Sequence, residues 1–287
     1  MTSPSPSTPT ARVRVGYTES PIGEIHYRHV GLGRPLVLLH WAPASGRMYE
    51  AAMPPLAGRG FSVFALDLPG YGRSHKTRPG SSVPQLADEL LAAIGTLGID
   101  RFDLLGGHLS ASVAVEMQHQ ARGRVRSLVL DGLLNLQGDE WTALLRRFQG
   151  YSPMLDAAGR YRSFPFDMVV ETLHEWNPRF ELTNATLHEV YELLDDYLEM
   201  GLPAMRAFVE PGTGPAPPPY ALPKRLGDVS CPTLVLTAAL EPLRAAYSRS
   251  LQAIPAARGH DVLGVSPLVS GRHAEWATVV AGFLAQT

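Results

Sequence analysis

The sequence predicts an α/β fold: a mostly parallel, twisted sheet with helices on both faces and a helical segment inserted after the sixth strand. Three observations carry that prediction. Short continuous apolar runs, such as Pro35-Leu36-Val37-Leu38-Leu39-His40 and residues 125–131, have the pattern of strands buried on both faces. Stretches with apolar residues at helical spacing, such as Leu86, Leu90, Ala93 and Leu97, alternate with them. From residue 132 to about 227 that alternation stops, and helical patterns follow one another with no convincing strand between them.

In chain order, residues 1–11 are rich in Ser, Thr and Pro, lack an apolar core, and read as a disordered tail rather than a secretory signal. Residues 12–19 and 23–29 read as two strands joined by a turn at Pro21-Ile22-Gly23, forming an antiparallel edge. After the run 35–40, residues 44–58 read as one helix with Ser45 as its cap and Met48, Ala52 and Leu56 on one face. Residues 61–67 form the next strand and end in Leu68-Pro69-Gly70-Tyr71-Gly72-Arg73-Ser74, and residues 83–97 form a helix.

The run Phe102-Asp103-Leu104-Leu105 ends in Gly106-Gly107, presents His108 at the bend, and continues into small residues that open a helix. In such a strand, turn and helix the apex side chain is displayed outward, and small neighbours let the two backbones approach. The strand 125–131 carries Asp131 at its C-terminal end, the edge where open parallel sheets bind ligands. Helical patterns at 140–148, 165–175 and 186–198 precede a proline-rich loop at 211–220. The sheet resumes at 232–238, and a last strand at 262–269 leads to Ser270-Gly271-Arg272-His273 and a closing helix over 274–284.

Bulk properties narrow the function. At 287 residues and 31.1 kDa the chain is long enough for a sizeable core, and its mean hydropathy of −0.02 is that of a soluble globular protein. Net charge −2 supplies no basic field for phosphate backbones, which argues against nucleic acid; no apolar run is long enough to predict a membrane span. The single cysteine, Cys231, excludes an internal disulfide framework, fits a reducing, cytoplasmic compartment and reads as structural. A small, uncharged molecule is the expected partner; no cofactor is implied, and oligomeric state is not legible.

Gly106-Gly107-His108-Leu109-Ser110 resembles the G-x-S-x-G nucleophile elbow of the α/β-hydrolase family, with His in place of the nucleophilic Ser and Ser110 in place of the second Gly. The turn Asp67-Leu68-Pro69-Gly70-Tyr71-Gly72-Arg73-Ser74 resembles the family's D-x-P-G-x-G-x-S loop, and His40-Trp41-Ala42-Pro43 its H-G-x-P loop. The resemblance implies that the N–H groups of Ala42 and Leu109 form an oxyanion hole, that Glu241 occupies the place of the triad acid, and that His273 is the base. Asp131 is the alternative acid, because some family members draw their carboxylate from that earlier strand. The resemblance implies a core of residues 12–131 and 228–287 and a helical cap of residues 132–227. Cap aromatics, including Trp141, Tyr151, Trp176 and Tyr191, are candidates for an apolar substrate pocket. Trp41 either narrows that pocket or fills a gap in the core.

An imidazole cannot form the stable ester that a serine alkoxide forms. Two imidazoles and a carboxylate favour proton transfer instead: an unperturbed imidazole changes charge near neutrality, so this residue type can serve as acid or base. The leading reading is therefore general acid–base chemistry on a small molecule through His108, Glu241 and His273, as water activation, elimination, rearrangement or cyclisation, with specialised metabolism as a suitable setting. Three others stay open. His108 itself could attack as a covalent nucleophile; Ser110 or Ser112 could serve after a register slip; or the chain could be a non-catalytic receptor. Two histidines and a glutamate also match a facial metal-ligand set in type, but the family geometry places His273 between the other two, so no metal is expected.

Overall fold

The structure is a computed structural model that describes residues 12–76, 81–133, 135–137, 139–140, 164–209, 222–238, 244–262, 266, 268 and 270–287. Its centre is an eight-stranded sheet of β1 (Arg14–Glu19), β2 (Glu24–Val30), β3 (Arg34–Leu39), β4 (Phe61–Leu66), β5 (Phe102–Gly107), β6 (Val125–Asp131), β7 (Thr233–Ala238) and β8 (Arg258–Val262). The spatial order is β1-β2-β4-β3-β5-β6-β7-β8. β2 runs antiparallel to both β1 and β4, and every other pair is parallel. The antiparallel edge and the parallel centre are those expected from the sequence.

The apolar runs are continuous because successive residues feed two different cores. Val37, Leu39, Leu104, Leu128 and Leu130 join one cluster with helices α2 (Val83–Thr96) and α3 (Leu109–Gln120). Leu36, Leu38, Leu105 and Val129 join a second, with α1 (Met53–Ala57) and the closing helix, whose Trp276, Val280 and Leu284 are buried there. Alternation of side chains across each strand thus puts helices on both faces.

Register positions the site. β3 pairs with β5 so that Leu39 lies opposite Gly106, and β5 pairs with β6 so that Gly107 lies opposite Asp131. The residues that follow, His40 and Trp41, His108, and Gly132, therefore emerge side by side at one edge of the sheet.

Two expectations are corrected. Residues 44–58 are not one helix: Ser45 caps a 3-10 turn at Gly46–Tyr49, and a separate α1 follows. Pro54 and Pro55 have no N–H to donate to an earlier turn, so they are tolerated only where a helix begins. The last strand is Arg258–Val262 rather than 262–269, and four of its five residues are exposed. As the outer strand of the sheet, β8 needs no apolar alternation, so it carries no hydrophobic signature.

Between β6 and β7 lie α4 (Phe164–Trp176), α5 (Leu187–Val209) and α6 (Leu222–Gly227). The first two match helical patterns in the sequence, although α5 runs eleven residues beyond the expected end at 198. Val169, Leu173, Val190, Leu193 and Tyr197 are buried between and beneath them. α6 brings the chain back to the core: Leu222 and Leu226 join the first cluster and Arg225 pairs with Glu116 of α3 at 3.1 Å. The remaining helices are α7 (Tyr247–Ala253) and α8 (His273–Leu284). The tail, most of the pattern at 140–148 and the proline-rich loop lie outside the described residues.

Candidate active site

β5 turns into α3 at His108, which has φ 49° and ψ −114°, a backbone conformation that L side chains rarely adopt. Its N–H donates to the Asp131 carbonyl at 2.8 Å, which pins the bend to β6. Gly106 makes the bend possible: a Cβ there would lie 2.4 Å from the Ser110 carbonyl oxygen and 2.8 Å from Ala111 Cα. The small residue after the apex also has a structural task. Ser110 is fully buried; its hydroxyl donates to the Leu39 carbonyl at 2.7 Å and accepts from the Gly107 N–H at 2.9 Å. A hydroxyl committed in this way holds the elbow to β3.

The His108 ring is 8% exposed and stacks on Trp41, with centroids 4.0 Å apart and planes at 9°. Trp41 is fully buried. Room for the indole comes from Gly107, where a Cβ would sit 1.9 Å from Trp41 Cδ1. Gly132, at φ 69°, clears the opposite edge, since its Cβ would lie 2.5 Å from His108 Cδ2. The two readings of Trp41 therefore merge: it fills the space over Gly107 and in doing so covers one face of the imidazole. Leu109 opens α3, so its N–H has no acceptor within the helix. Ala42 follows the paired strand β3, and both residues are buried at this edge of the sheet.

His40 is a part of the scaffold. Its Nδ1–H donates to the Trp41 carbonyl at 2.8 Å, and its Nε2 accepts the Leu68 N–H at 2.9 Å, an arrangement that needs a neutral ring. Burial pushes His40 below the usual imidazole range, and the same cause lowers His29 and His273. Groups lowered in this way favour the folded state above about pH 6.5 and lose that contribution as pH falls. Urea unfolding at pH 7.5 and 5.5 is expected to show lower stability at 5.5, with part of the difference abolished in His40→Asn. Equal stability at the two pH values would contradict this account.

His273 begins α8. Its Nδ1 is buried and has no hydrogen-bond partner among the described residues. The ring lines a cleft of about 550 Å³ whose other walls include Ala44, Met48, Leu193 and Leu268, with Arg47 and Asp196 on the polar side. His108 is not one of the lining residues. The Oδ2 of Asp131 accepts from Trp276 Nε1 at 3.0 Å. Glu241, Trp141 and Tyr151 lie outside the described residues, as does the side chain of Trp176. Tyr191 is 55% exposed on α5 and does not line this cleft.

Three residues of the site's surroundings, Arg47, Asp196 and Trp276, carry no signal in the sequence. Asp196 of α5 accepts from the Ser45 hydroxyl at 2.8 Å, the Ser45 N–H at 3.2 Å and Arg47 at 3.0 Å, tying that helix to the loop after β3. Burial pushes the Asp196 carboxyl up to about 6, with Arg47 and Ser45 opposing the rise. Two further histidines are partnered: His75 bonds Glu89 of α2, and His119 meets Arg225 of α6. Cys231 is structural as expected, its thiol pushed up to about 11 by burial.

A profile of the alpha/beta hydrolase fold matches residues 34–165. An "AB hydrolase superfamily protein" of Bacillus subtilis is 33% identical over 94 residues, 33% of this chain and 35% of that protein. A haloalkane dehalogenase of Mycobacterium marinum is 34% identical over 172 residues, 53% of this chain and 56% of its own length. The chain thus spans from about a third to little more than half of these curated relatives. Among solved structures, an enol-lactonase of Burkholderia xenovorans superposes with a TM-score of 0.74 at 18% identity, covering 94% of this chain and 100% of the other, a likeness of fold. With the elbow at the end of β5 and the sheet order already in place, the chain has the alpha/beta hydrolase fold, and its residues 34–165 match the profile of that family.

Proposed function

We propose that this protein is an enzyme that acts on a small, largely apolar molecule by proton transfer, with His108 and His273 as the acid–base pair and Glu241 orienting His273. The observation that carries the reading is His108 at the strained apex between β5 and α3, while the nearby Ser110 hydroxyl is spent on the Leu39 carbonyl. His273 supplies the base: burial favours its neutral form, whose free lone pair can take a proton from water or from substrate. His108, in its protonated form, returns a proton to the leaving or rearranging group. Charge that develops on oxygen meets the N–H groups of Leu109 and Ala42 and the N-terminus of α3.

The apolar part of the cleft beside His273, formed by Ala44, Met48, Leu193 and Leu268, suits an uncharged group of the substrate, while Arg47, Glu50, Glu189, Glu192 and Asp196 line the rest. α4 and α5 act as a cap, residues 132–227, that keeps water out. The reaction is water activation, elimination, rearrangement or cyclisation, which suits specialised metabolism in the cytoplasm. Among the described residues no helix is long and apolar enough to cross a membrane.

The test is a panel of apolar epoxides, haloalkanes, lactones and esters combined with three alanine variants. His108→Ala and His273→Ala are each expected to lower turnover by about 10²–10⁴-fold, the usual worth of a positioned acid or base. Ser110→Ala should leave any residual reaction dependent on both histidines. A fluorophosphonate probe should give no serine adduct by mass spectrometry. Clean labelling of Ser110, or full turnover without either histidine, would overturn the proposal, and a substrate-derived adduct on His108 would make that residue a nucleophile instead.

A further inference from the structure

The carboxylate of Asp131 is buried at the end of β6 and shares its residue's hydrogen bonds between two elements. Its carbonyl accepts the His108 N–H at 2.8 Å and its Oδ2 accepts Trp276 Nε1–H at 3.0 Å. Trp276 lies three residues after His273, on the next turn of α8, and is 2% exposed. Its indole stacks against Tyr49 with centroids 5.6 Å apart and planes at 29°. The Tyr49 hydroxyl donates to the Leu39 carbonyl at 3.0 Å, the same oxygen that accepts the Ser110 hydroxyl. One buried chain of contacts therefore runs from the elbow through β6 to α8 and back through the loop after β3 to the elbow.

We propose that Asp131 and Trp276 form a positioning pair that locks the first turn of α8, and with it the His273 ring, against the elbow, and that Asp131 does not serve as the acid of His273. This assigns a role to the second carboxylate at the catalytic edge of the sheet and to a tryptophan with no catalytic signature. It rests on the acid–base reading for its functional meaning, but its geometry is independent of any substrate. An indole N–H is a donor only, so the bond needs an acceptor at position 131 and not a negative charge. A carboxylate partner of an imidazole needs the charge, because it stabilises the imidazolium.

That difference gives the experiment. Asp131→Asn keeps an amide oxygen for the indole and removes the charge. Asp131→Ala removes both, and Trp276→Phe keeps a ring in the core but removes the N–H. His273 is observed in the intact protein by long-range ¹H–¹⁵N spectra across a pH titration, with thermal melts establishing that each variant is folded. Asp131→Asn is expected to leave the His273 shifts and titration midpoint as in the wild type. Trp276→Phe and Asp131→Ala are expected to displace both in the same direction, by about half a pH unit or more, and the double variant no further than either single one. A midpoint moved by Asp131→Asn as far as by Asp131→Ala would make the charge the operative feature and overturn the proposal. So would an undisturbed His273 in Trp276→Phe. If Asp131→Ala fails to fold, the Asn and Phe variants decide the matter alone. The acid–base reading can fail separately, through turnover that survives loss of His108 or His273, while these spectra remain as expected.

Discussion

Asp67→Ala is expected to lower the unfolding free energy by about 3–5 kcal/mol, the cost of breaking a buried, charged hydrogen-bond network. The carboxylate is 1% exposed and holds four groups. It accepts the Gly46 N–H at 2.8 Å, the Arg73 N–H at 2.9 Å, His26 Nδ1 at 2.8 Å and Arg28 Nη1 at 3.3 Å. Those donors come from the loop after β3, the loop after β4, and β2, so one side chain gathers three elements beside the site. The glycines of the loop serve the same end: a Cβ at Gly72 would lie 2.2 Å from Asp67 Oδ2. Burial alone would raise this carboxyl, but the hydrogen bond from His26, the Arg73 N–H and the Arg28 guanidinium outweigh it and hold Asp67 well below the usual carboxylate range.

The sign of the pH dependence follows. A depressed carboxyl adds stability that is fully present above its unfolded value, about 3.9, and is lost as pH falls toward the folded value. Urea unfolding at pH 7 should therefore show the full loss in Asp67→Ala, while the gap between variant and wild type narrows in acid. A loss below about 1 kcal/mol at pH 7 would mean that the network is dispensable.

Gly107→Ala is the second large effect expected. Overpacking a well-filled core costs about 1–3 kcal/mol, and this site stands at or above the top of that range. The new methyl would sit 1.9 Å from Trp41 Cδ1 and 2.1 Å from Nε1. The indole cannot retreat, because it is fully buried in the second core cluster and stacked on the ring of His108. Relief in the variant must displace either the elbow or the imidazole. A double-mutant cycle with Trp41→Ala isolates the clash: Gly107→Ala should cost little once the indole is gone, although Trp41→Ala alone costs about 3–5 kcal/mol through the cavity it leaves. Strict additivity of the two substitutions would show that the methyl does not meet the ring.

Much of the fold was legible because its signals are local. A strand buried on both faces must be a continuous apolar run, and β3, β5, β6 and β7 read that way. The bend at His108 needs Gly106 and Gly107 beside it in sequence, and the Asp67 loop needs its glycines within five residues. β8 was missed for the complementary reason: a polar strand at the edge of a sheet has no local rule to obey. The break between the 3-10 turn at Gly46–Tyr49 and α1 was written in Pro54 and Pro55, but apolar residues at helical spacing masked it.

What the sequence alone determined is the class of the fold, the antiparallel edge and the identity of the residue at the apex, since each depends on neighbours a few positions away. Only the tertiary structure decided what surrounds that residue. Trp41 meets His108 across 67 positions, Asp131 meets Trp276 across 145, and Ser45 meets Asp196 across 151. Such contacts exist because strand register and helix packing bring distant segments to one edge of the sheet, and no periodicity or motif within a single segment encodes them.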